Sequence, residues 1–340
     1  MSSTSTPVAF VAAILEGYRK YGLNPDAALS EAGIDRALLD TPNAFVETAQ
    51  FQCFMERSMR LMDDEALGWF SRPLWWGSYG MLARASFSAP ELRTAIRRWC
   101  RSHNLLTRDV MLRVTESAGT ATIAIIENVP LGVFREFCLV SILRNALGYS
   151  SWLIDSRIAC MDASFPFERP PHHAAYQHMF PTSVRFGARH ASVSLDATYL
   201  DLLVRRDEVA MNDMLSNALP LLTDVYRRDR LLVPRLRALL VTHMQTMRTA
   251  EEMAHALGTS VRSLYRQLEE EGTSVQALKD EVRKEQAMQL LHRSNLPIKQ
   301  IAASTGFTNE KTFSRAFRRW FGKMPSQYRR ELRDAGRLES

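Results

Sequence analysis

The segment IAASTGFTNEKTFSRAF, at residues 301–317, has an altered second copy in MAHALGTSVRSLYRQL, at residues 253–268. Each copy carries an alanine after an apolar residue, a glycine four positions after that alanine, and then a polar residue and two apolar positions spaced by four. This order predicts a short helix, a glycine-containing turn and a second helix, which together make a helix-turn-helix unit. One such match is common by chance, whereas two in register indicate a tandem pair.

The two copies align residue by residue, apart from one extra residue in the turn of the second copy. Ala254 and Gly258 correspond to Ala302 and Gly306. A small alanine lets the two helices approach closely, and a glycine permits the positive φ at the end of the first helix. The residues expected to form the structural core of this region are Ala254, Gly258, Leu264, Leu268, Ile301, Ala302, Gly306, Phe307, Phe313, Phe317 and Pro325.

Capping residues predict where these helices begin. Thr249 and Glu252 have the spacing of a capping box. Ser260 precedes the second helix of the first unit, and either Thr308 or Asn309 precedes that of the second unit.

The two helix-turn-helix units are expected at about residues 249–270 and 297–321, with a long linker helix at 274–291 between them. At ~1.5 Å per residue such a linker is ~27 Å long, which approaches the ~34 Å that separates successive major grooves on one face of DNA. The linker therefore has the length to hold two DNA-reading helices about one turn apart.

The stretch FSRAFRRWFG, at residues 313–322, is apolar on one side and cationic on the other. At ~100° per residue, its aromatic residues fall on a single stripe. The stripe consists of Phe313, Phe317, Trp320 and Phe321. The residues that point roughly the opposite way are Arg315, Arg318 and Arg319. Taken alone, this pattern fits either a DNA-facing helix or a surface helix with a solvated basic face.

Positive charge is concentrated in the last third of the chain. Residues 235–340 hold 19 Lys and Arg against 12 Asp and Glu, a net charge of +7, whereas residues 1–234 hold 24 against 25, a net charge of −1. Localised charge of this kind implies a polyanionic partner, with nucleic acid first and an anionic membrane second.

The first two thirds of the chain mix helical and strand patterns, so the predicted fold is multidomain, with an α+β N-terminal domain followed by an all-α domain. The helical periods lie near 8–20, 47–62, 91–101, 131–147 and 208–226. The strand-like alternations lie at 110–116, 120–129, 156–165 and 183–196. A capping-box spacing at Ser88 and Glu91 predicts one of the helix starts. Because composition, charge and period all change near 228–236, we expect domains at 1–230 and 231–340.

The C-terminal third resembles the DNA-binding domain of the AraC/XylS family of transcription regulators over roughly residues 236–333. The residues that carry the resemblance are Ile301-Ala302, Gly306-Phe307, Phe313, Arg315, Phe317, Gly322, Pro325 and Tyr328-Arg329, with Arg283, Ala287 and Leu290-Leu291 in the linker helix. The resemblance implies a bacterial, cytoplasmic, nucleoid-associated transcription factor, commonly a homodimer, that binds double-stranded promoter DNA. It also implies RNA polymerase as a partner and activation of transcription in many members.

The N-terminal region is similar to the ornithine-utilisation-regulator branch of that family. The similarity lies in GSYGMLARASFSAPELRTAIRRW, at 77–99, and HHAAYQHMFPTSVRFGA, at 172–188. It implies an effector-binding and dimerisation domain, and it makes an amino acid such as ornithine, or a related metabolite, the hypothetical effector.

The second helix of each unit is expected to enter the major groove of DNA. Arginine matches the two acceptors of guanine, and glutamate can accept from the amino group of cytosine. The candidate base-reading residues are Arg262, Ser263, Tyr265, Arg266, Glu310, Lys311, Thr312 and Arg315. The candidate phosphate-contacting residues are Arg318, Arg319, Lys323, Arg329 and Arg330. For each candidate base-reading residue, a phosphate contact or a solvated charge is the alternative.

Other functions leave little trace in the sequence. There is no GxSxG, GxGxxG after a strand, GxxxxGK[ST] or HExxH, so we expect neither an enzyme nor a cofactor. His172, His173 and His178 lack the spacing of a metal-binding helix and are expected to serve packing or capping. The tryptophans of PLWWGSYG, at 73–80, fit either the core or an effector pocket.

Cysteine and hydropathy patterns agree with an expected cytoplasmic location. The four cysteines are scattered with no CxxC pair, which favours reduced thiols. No apolar run approaches the ~18 residues of a membrane span, and no basic leader precedes the first apolar stretch. A DNA-binding protein of nucleoid type, with no effector, remains the alternative function.

Overall fold

The computed structural model describes residues 5–41, 43–216 and 229–334, and the chain divides into two compact units, Met1–Asp229 and Arg230–Ser340. The first unit contains helices and two sheets, and the described part of the second contains helices and no strands. This confirms the predicted fold class. The predicted helix at 208–226 begins at Glu208, and its portion beyond residue 216 lies outside the described residues. No helix within the described ranges has both the length and the apolarity to cross a membrane.

The first unit is built around a five-stranded sheet. Its helices are α1 (Val8–Tyr21), α2 (Asp26–Glu31), α3 (Thr48–Met62), α4 (Ser78–Phe87), α5 (Leu92–Leu106), α6 (Arg135–Leu153), α7 (Tyr176–Met179) and α8 (Glu208–Ser216). Its strands are β1 (Ser5–Pro7), β2 (Phe45–Glu47), β3 (Val110–Ser117), β4 (Thr120–Glu127), β5 (Cys160–Phe165), β6 (Ser183–Phe186) and β7 (Ala191–Asp196). The sheet order is β3-β4-β7-β5-β6, with β5 and β6 parallel, while β1 and β2 form a separate antiparallel pair.

Strand alternation gives the sheet one apolar face. Ala121, Ile123 and Ile125 of β4 are buried. The residues between them point to the other face, where the hydroxyls of Thr122 and Ser194 lie 3.0 Å apart across β4 and β7. The period of two along each strand therefore separates an apolar side from a hydroxyl-bearing side.

The second unit contains two small cores in sequence. Its helices are α9 (Leu232–His243), α10 (Ala250–Ala256), α11 (Val261–Glu270), α12 (Val275–Arg293), α13 (Ile298–Ser304), α14 (Glu310–Phe321) and α15 (Pro325–Asp334). The first core joins α9, α10, α11 and the start of α12, and the second joins the end of α12 with α13 and α14. The long helix α12 thus contributes to both cores and links the two helix-turn-helix units.

The predicted caps at Thr249 and Ser260 are confirmed. Thr249 and Glu252 form the reciprocal bonds of a capping box, and the amides of Thr249 and Arg248 lower the pKa of the Glu252 carboxyl. Ser260 Oγ accepts from the Ser263 amide at 3.1 Å. In the second helix-turn-helix unit Asn309, not Thr308, caps α14. Its Oδ1 accepts from the Thr312 amide at 2.8 Å.

The expected capping box at Ser88 and Glu91 is wrong. Helix α5 begins at Leu92, with Glu91 as an extended N-cap at φ −141°. Glu91 pairs with Leu203 in an isolated antiparallel bridge, and the Leu92 amide donates to the Leu202 carbonyl at 3.0 Å. Because Leu202 and Leu203 hold the backbone of Glu91 extended, the helix cannot start at Ser88.

Trp75 and Trp76 lie outside the core, and neither is among the residues that line a cavity between α1, α3, α6 and α7. Their exposed fractions are 62% and 43%, and the Arg60 guanidinium sits 4.3 Å from the Trp76 ring centroid. A cation–π contact of this kind covers one face of the ring without burying it.

The two turn glycines occupy the same backbone region but different surroundings. Gly258 has φ 64° and Gly306 has φ 74°. A Cβ at 258 would meet nothing within 4 Å, whereas one at 306 would lie 2.8 Å from Cγ and 3.3 Å from the carbonyl oxygen of Met244.

We expect Gly306→Ala to cost more free energy of unfolding than Gly258→Ala, by about 1–3 kcal/mol, because only position 306 adds overpacking to the left-handed strain that both share. Urea unfolding of the two full-length variants followed by circular dichroism measures this difference. Equal losses would show that Met244 can move aside.

Candidate DNA-binding interface

The first candidate reading helix, α11, is held by its inner face. Leu264 and Leu268 are fully buried in the first core. Arg262, Tyr265 and Arg266 are exposed on the other side of the helix. The helix therefore presents a guanidinium in each of its first two turns.

These two guanidinium groups differ in their partners. Arg266 Nε lies 3.5 Å from Glu270 Oε1, with both side chains more than 40% exposed. Arg262 has no hydrogen-bond or ion-pair partner within the described ranges. An exposed i,i+4 pair contributes only ~0.3–0.5 kcal/mol, so a base or phosphate can replace Glu270 at little cost.

The Ser263 hydroxyl is committed to the helix cap. Ser260 Oγ donates to Ser263 Oγ at 3.0 Å, and the Ser263 side chain is half-buried. Thr312 is placed in the same way in the second unit, where its Oγ1 donates to Asn309 Oδ1 at 2.9 Å. Both predicted base-reading hydroxyls thus lie at the start of a reading helix with one bond already made.

The second candidate reading helix, α14, has the same two-sided arrangement. Phe313 and Phe317 are fully buried, with their ring centroids 5.8 Å apart. The exposed residues of its outer side are Glu310, Lys311, Thr312, Arg315 and Arg318. Phe313 and Phe317 seat the helix in the second core, and the cations face solvent.

The aromatic packing around Phe317 extends beyond α14. Its ring centroid lies 4.5 Å from that of Phe321 and 5.6 Å from that of Tyr328 on α15. Trp320 packs edge-on against Phe307 at 6.0 Å. The interlocked rings fix the orientation of the helix, and hence the direction in which Arg315 projects.

The candidate phosphate-contacting residues lie in three different surroundings. Arg318 and Arg330 are exposed. Arg319 Nη2 lies 3.1 Å from Asp280 Oδ2, and Lys323 forms an ion pair with Glu331. Arg329 is half-buried, with its Nε and Nη2 atoms shielded from solvent.

Helix α12 ties the two helix-turn-helix units together through buried charge, which the sequence pattern did not reveal. The Lys279 ammonium donates to the Arg248 carbonyl at 2.7 Å, at the entrance to the first unit. Burial and the nearby Arg283 charge lower the pKa of Lys279. A lysine on a charged helix is indistinguishable by type from a solvated one, so only the structure identifies this contact.

Arg283 makes the corresponding contact to the second unit. Its Nη2 donates to the Gly306 carbonyl at 3.2 Å, and its guanidinium lies 4.8 Å from the Phe307 ring centroid. Asp280 stands between the arginines, with Oδ1 3.9 Å from Arg283 Nη1 and Oδ2 bound to Arg319. These contacts fix how the second turn sits on α12. The i,i+3 spacing of Asp280 and Arg283 is the one signal in the sequence that could have indicated this pair.

The three histidines singled out in the sequence do not converge. His172 Nε2 lies 2.7 Å from Glu136 Oε1, His173 Nδ1 lies 3.1 Å from the Pro170 carbonyl, and His178 is exposed. Within the described ranges, no group of three or more His, Cys, Asp or Glu side chains is placed to hold a metal ion.

Two helix-turn-helix units, each with a capped second helix that carries exposed arginines, define a DNA-binding protein. The comparisons with known proteins identify its family. Residues 22–204 match the arabinose-binding domain of AraC transcription regulators, N-terminal part, and residues 253–331 match a helix-turn-helix domain. The first match covers more than half of the chain. The protein belongs to the AraC family of transcription regulators.

Two relatives in sequence agree with this assignment. The chain is 29% identical over 327 residues to the ornithine utilization regulator of Pseudomonas aeruginosa, covering 95% of this chain and 96% of that protein. It is 32% identical over 143 residues to RclR of Escherichia coli, an RCS-specific transcriptional activator, covering 40% of this chain and 46% of that one. The crystal structure of the regulator CdpR from P. aeruginosa aligns at 19% identity and a TM-score of 0.31, over 90% of this chain and 96% of that one.

Proposed function

We propose that this DNA-binding transcription regulator is an effector-responsive activator that sets α11 and α14 into successive major grooves of promoter DNA. Residues 231–340 bind DNA, and residues 1–230 bind a small effector and dimerise. RNA polymerase is the partner through which the bound protein acts, in the bacterial cytoplasm. Both relatives in sequence named above are regulators or activators of transcription, and the proposed role of this chain includes no catalysis.

The observation that carries the proposal is the duplication of one arrangement on one helix. Each reading helix has a buried apolar side and an exposed arginine side, and α12, which spans Val275–Arg293, joins the two cores. At ~1.5 Å per residue α12 is ~28 Å long, comparable with the ~34 Å between successive major grooves.

Within this interface, arginine and glutamate read base edges. Arg262, Arg266 and Arg315 are suited to guanine, and Glu310 to the cytosine amino group. Tyr265 and Lys311 flank them on the exposed sides of their helices. Ser263 and Thr312 contact bases or sugars from the first turn, with their capping bonds retained.

A second set holds the DNA backbone. Arg318 and Arg330 contact phosphates directly, since both are exposed. Arg319 and Lys323 do so by exchanging Asp280 and Glu331 for phosphate. Arg329 lies beside this set, but Nε and Nη2 of its guanidinium are shielded from solvent, so it contacts a phosphate less directly than the other four.

Footprinting of the full-length protein on promoter fragments tests the proposal. We expect protection of two successive major-groove segments on one face, with preference for particular sequences over bulk duplex. Protection of a single groove would contradict the tandem arrangement. Two-groove protection without sequence preference would instead favour the effector-independent, nucleoid-type function.

Arg315→Ala is expected to weaken specific binding by about 10- to 100-fold, or about 1–3 kcal/mol, and to relax the preference at one base pair. Arg318→Ala should weaken binding evenly across sequences and reduce the slope of log affinity against log salt by about one. Arg101→Ala, which removes an exposed arginine of the first unit, serves as the control. Titrations at several salt concentrations with specific and scrambled duplexes measure both effects. If Arg315→Ala behaved like Arg318→Ala, residue 315 would be a phosphate contact.

Genome-wide mapping of bound sites, with and without ornithine and related metabolites, tests the effector and the direction of control. Transcript levels next to the bound sites distinguish activation from repression. Sedimentation of the full-length protein reports dimerisation. Bound sites that stay the same with and without every metabolite tested would contradict ligand control.

A further inference from the structure

A cavity of about 80 Å³ lies in the first unit, between α1, α3, α6 and α7. Its apolar floor consists of Phe10, Phe51, Met55, Phe137 and Val140, each no more than 4% exposed. The Phe137 ring centroid lies 5.1 Å from that of Phe10 and 5.9 Å from that of Phe51. These two ring contacts make the floor a fixed surface.

One cation stands at this cavity on a defined helix face. Phe137, Val140, Ser141 and Arg144 line it at the spacing of one side of α6. Arg144 Nη1 donates to the Met179 carbonyl at 2.6 Å, which holds the guanidinium at the cavity wall. An arginine carries five N–H donors in a planar fork, enough to serve protein acceptors and a carboxylate together.

The remaining polar groups of the lining are neutral hydroxyls and an imidazole. They belong to Ser5, Thr6, Thr48, Ser141 and His178. No Asp or Glu is among the described residues that line the cavity. An ammonium group placed in it would face the Arg144 charge and lose its hydration without a carboxylate partner.

We propose that this cavity binds a short aliphatic carboxylate, with its carboxylate on Arg144 and its carbon chain on the phenylalanine floor. The cavity is small and partly open to solvent, so it suits a short carbon chain. The inference deepens the proposed effector control and rests on it for its regulatory meaning. It also replaces ornithine as the ligand of this cavity, because the side-chain ammonium of ornithine has no acidic partner here.

The test uses the full-length protein and a chemical series. Acetate, propionate, butyrate and isovalerate are compared with butyramide and butylamine, which keep the carbon chain but carry no negative charge, and with ornithine. Thermal-shift measurements and calorimetry report binding, and titration of promoter DNA with and without butyrate reports regulation. We expect butyrate to raise the melting temperature and the amide, the amine and ornithine to leave it unchanged.

Variants locate the site. Arg144→Gln should weaken butyrate binding at least tenfold. Ser141→Leu should weaken it as much, because the larger side chain fills part of the cavity while Arg144 is kept. Arg101→Gln, an exposed arginine on α5, should bind butyrate like the parent protein. Ser141→Leu keeps the test decisive if Arg144→Gln fails to fold, since it retains the bond from Arg144 to Met179.

The outcomes distinguish the proposed binding site from the proposed control of DNA binding by an effector. No stabilisation by any carboxylate of the series, or full binding by the Ser141 variant, would overturn the site. If ornithine nevertheless altered DNA affinity, effector control would stand with its site elsewhere. Butyrate binding that depends on Arg144 and Ser141 but leaves DNA affinity unchanged would support the site and count against effector control.

Discussion

Replacement of Phe317 by alanine is expected to unfold the second helix-turn-helix unit, with a loss of about 3–5 kcal/mol in its free energy of unfolding. Phe317 is fully buried and lies at the centre of the aromatic packing, in contact with Phe313, Phe321 and Tyr328. The second core has only a handful of buried residues, so the surrounding side chains cannot close the resulting cavity.

The first helix-turn-helix unit should survive this change. Its core is formed by other residues, from α9, α10, α11 and the start of α12. In footprints, Phe317→Ala should therefore lose protection of one groove and keep the other. Hydrogen exchange of the α14 amides in the full-length protein reports the unfolding of the second helix-turn-helix unit directly.

Arg315→Ala is the matched control for Phe317→Ala, two residues away on the opposite side of α14. Arg315 is exposed and has no hydrogen-bond or ion-pair partner within the described ranges, so its removal should leave folding intact and weaken only specific binding. Equal losses of thermal stability in the two variants would contradict this division between a buried and a DNA-facing side.

The elements of the second unit could be predicted because each one is encoded locally. The apolar spacing, the caps at Thr249 and Ser260 and the turn glycines all lie within a few residues of the structure they determine. The same reasoning failed at Ser88, because the backbone of Glu91 is held by Leu203, more than a hundred residues away. Local signals predict helices well and long-range strand bridges poorly.

Contacts between elements also escaped prediction. Met244, which follows α9, lies close to Gly306 in the turn of the second helix-turn-helix unit. No residue spacing in either segment predicts this contact. Lys279 and Asp280 look like solvent-facing charges of a long helix, yet one is bound to a carbonyl of the first unit and the other to Arg319. Residue type specified the reading helices, and three-dimensional packing specified how they are held.

The sequence also gave no sign that His103 would be a buried, neutral histidine in the first unit. It is 4% exposed on α5, with its ring 5.9 Å from that of Trp99 and 6.3 Å from that of Phe70, centroid to centroid. Its Nδ1 has no hydrogen-bond partner among the described residues. Burial lowers the pKa of His103 to about 4, opposed in part by the neighbouring Asn104 side chain.

This depressed pKa makes the first unit sensitive to acid. Above pH ~6.5 the imidazole is neutral in both the folded and the unfolded chain, and its full contribution to stability is present. As the pH falls from ~6.5 towards 4, the unfolded chain binds a proton that the folded chain excludes, so about 3 kcal/mol of unfolding free energy is lost. Below pH ~4 both states are protonated and this loss stops growing.

The measurement is the difference in unfolding free energy between the parent protein and His103→Gln at each pH from 7 to 4, since the subtraction removes the titration of shared carboxylates. As the pH falls from 7 to 4, we expect the unfolding free energy of the parent to decrease more than that of His103→Gln. This holds whatever the difference between the two at pH 7. A constant difference between the parent and His103→Gln would mean that His103 reaches solvent and takes up its proton while the chain is folded.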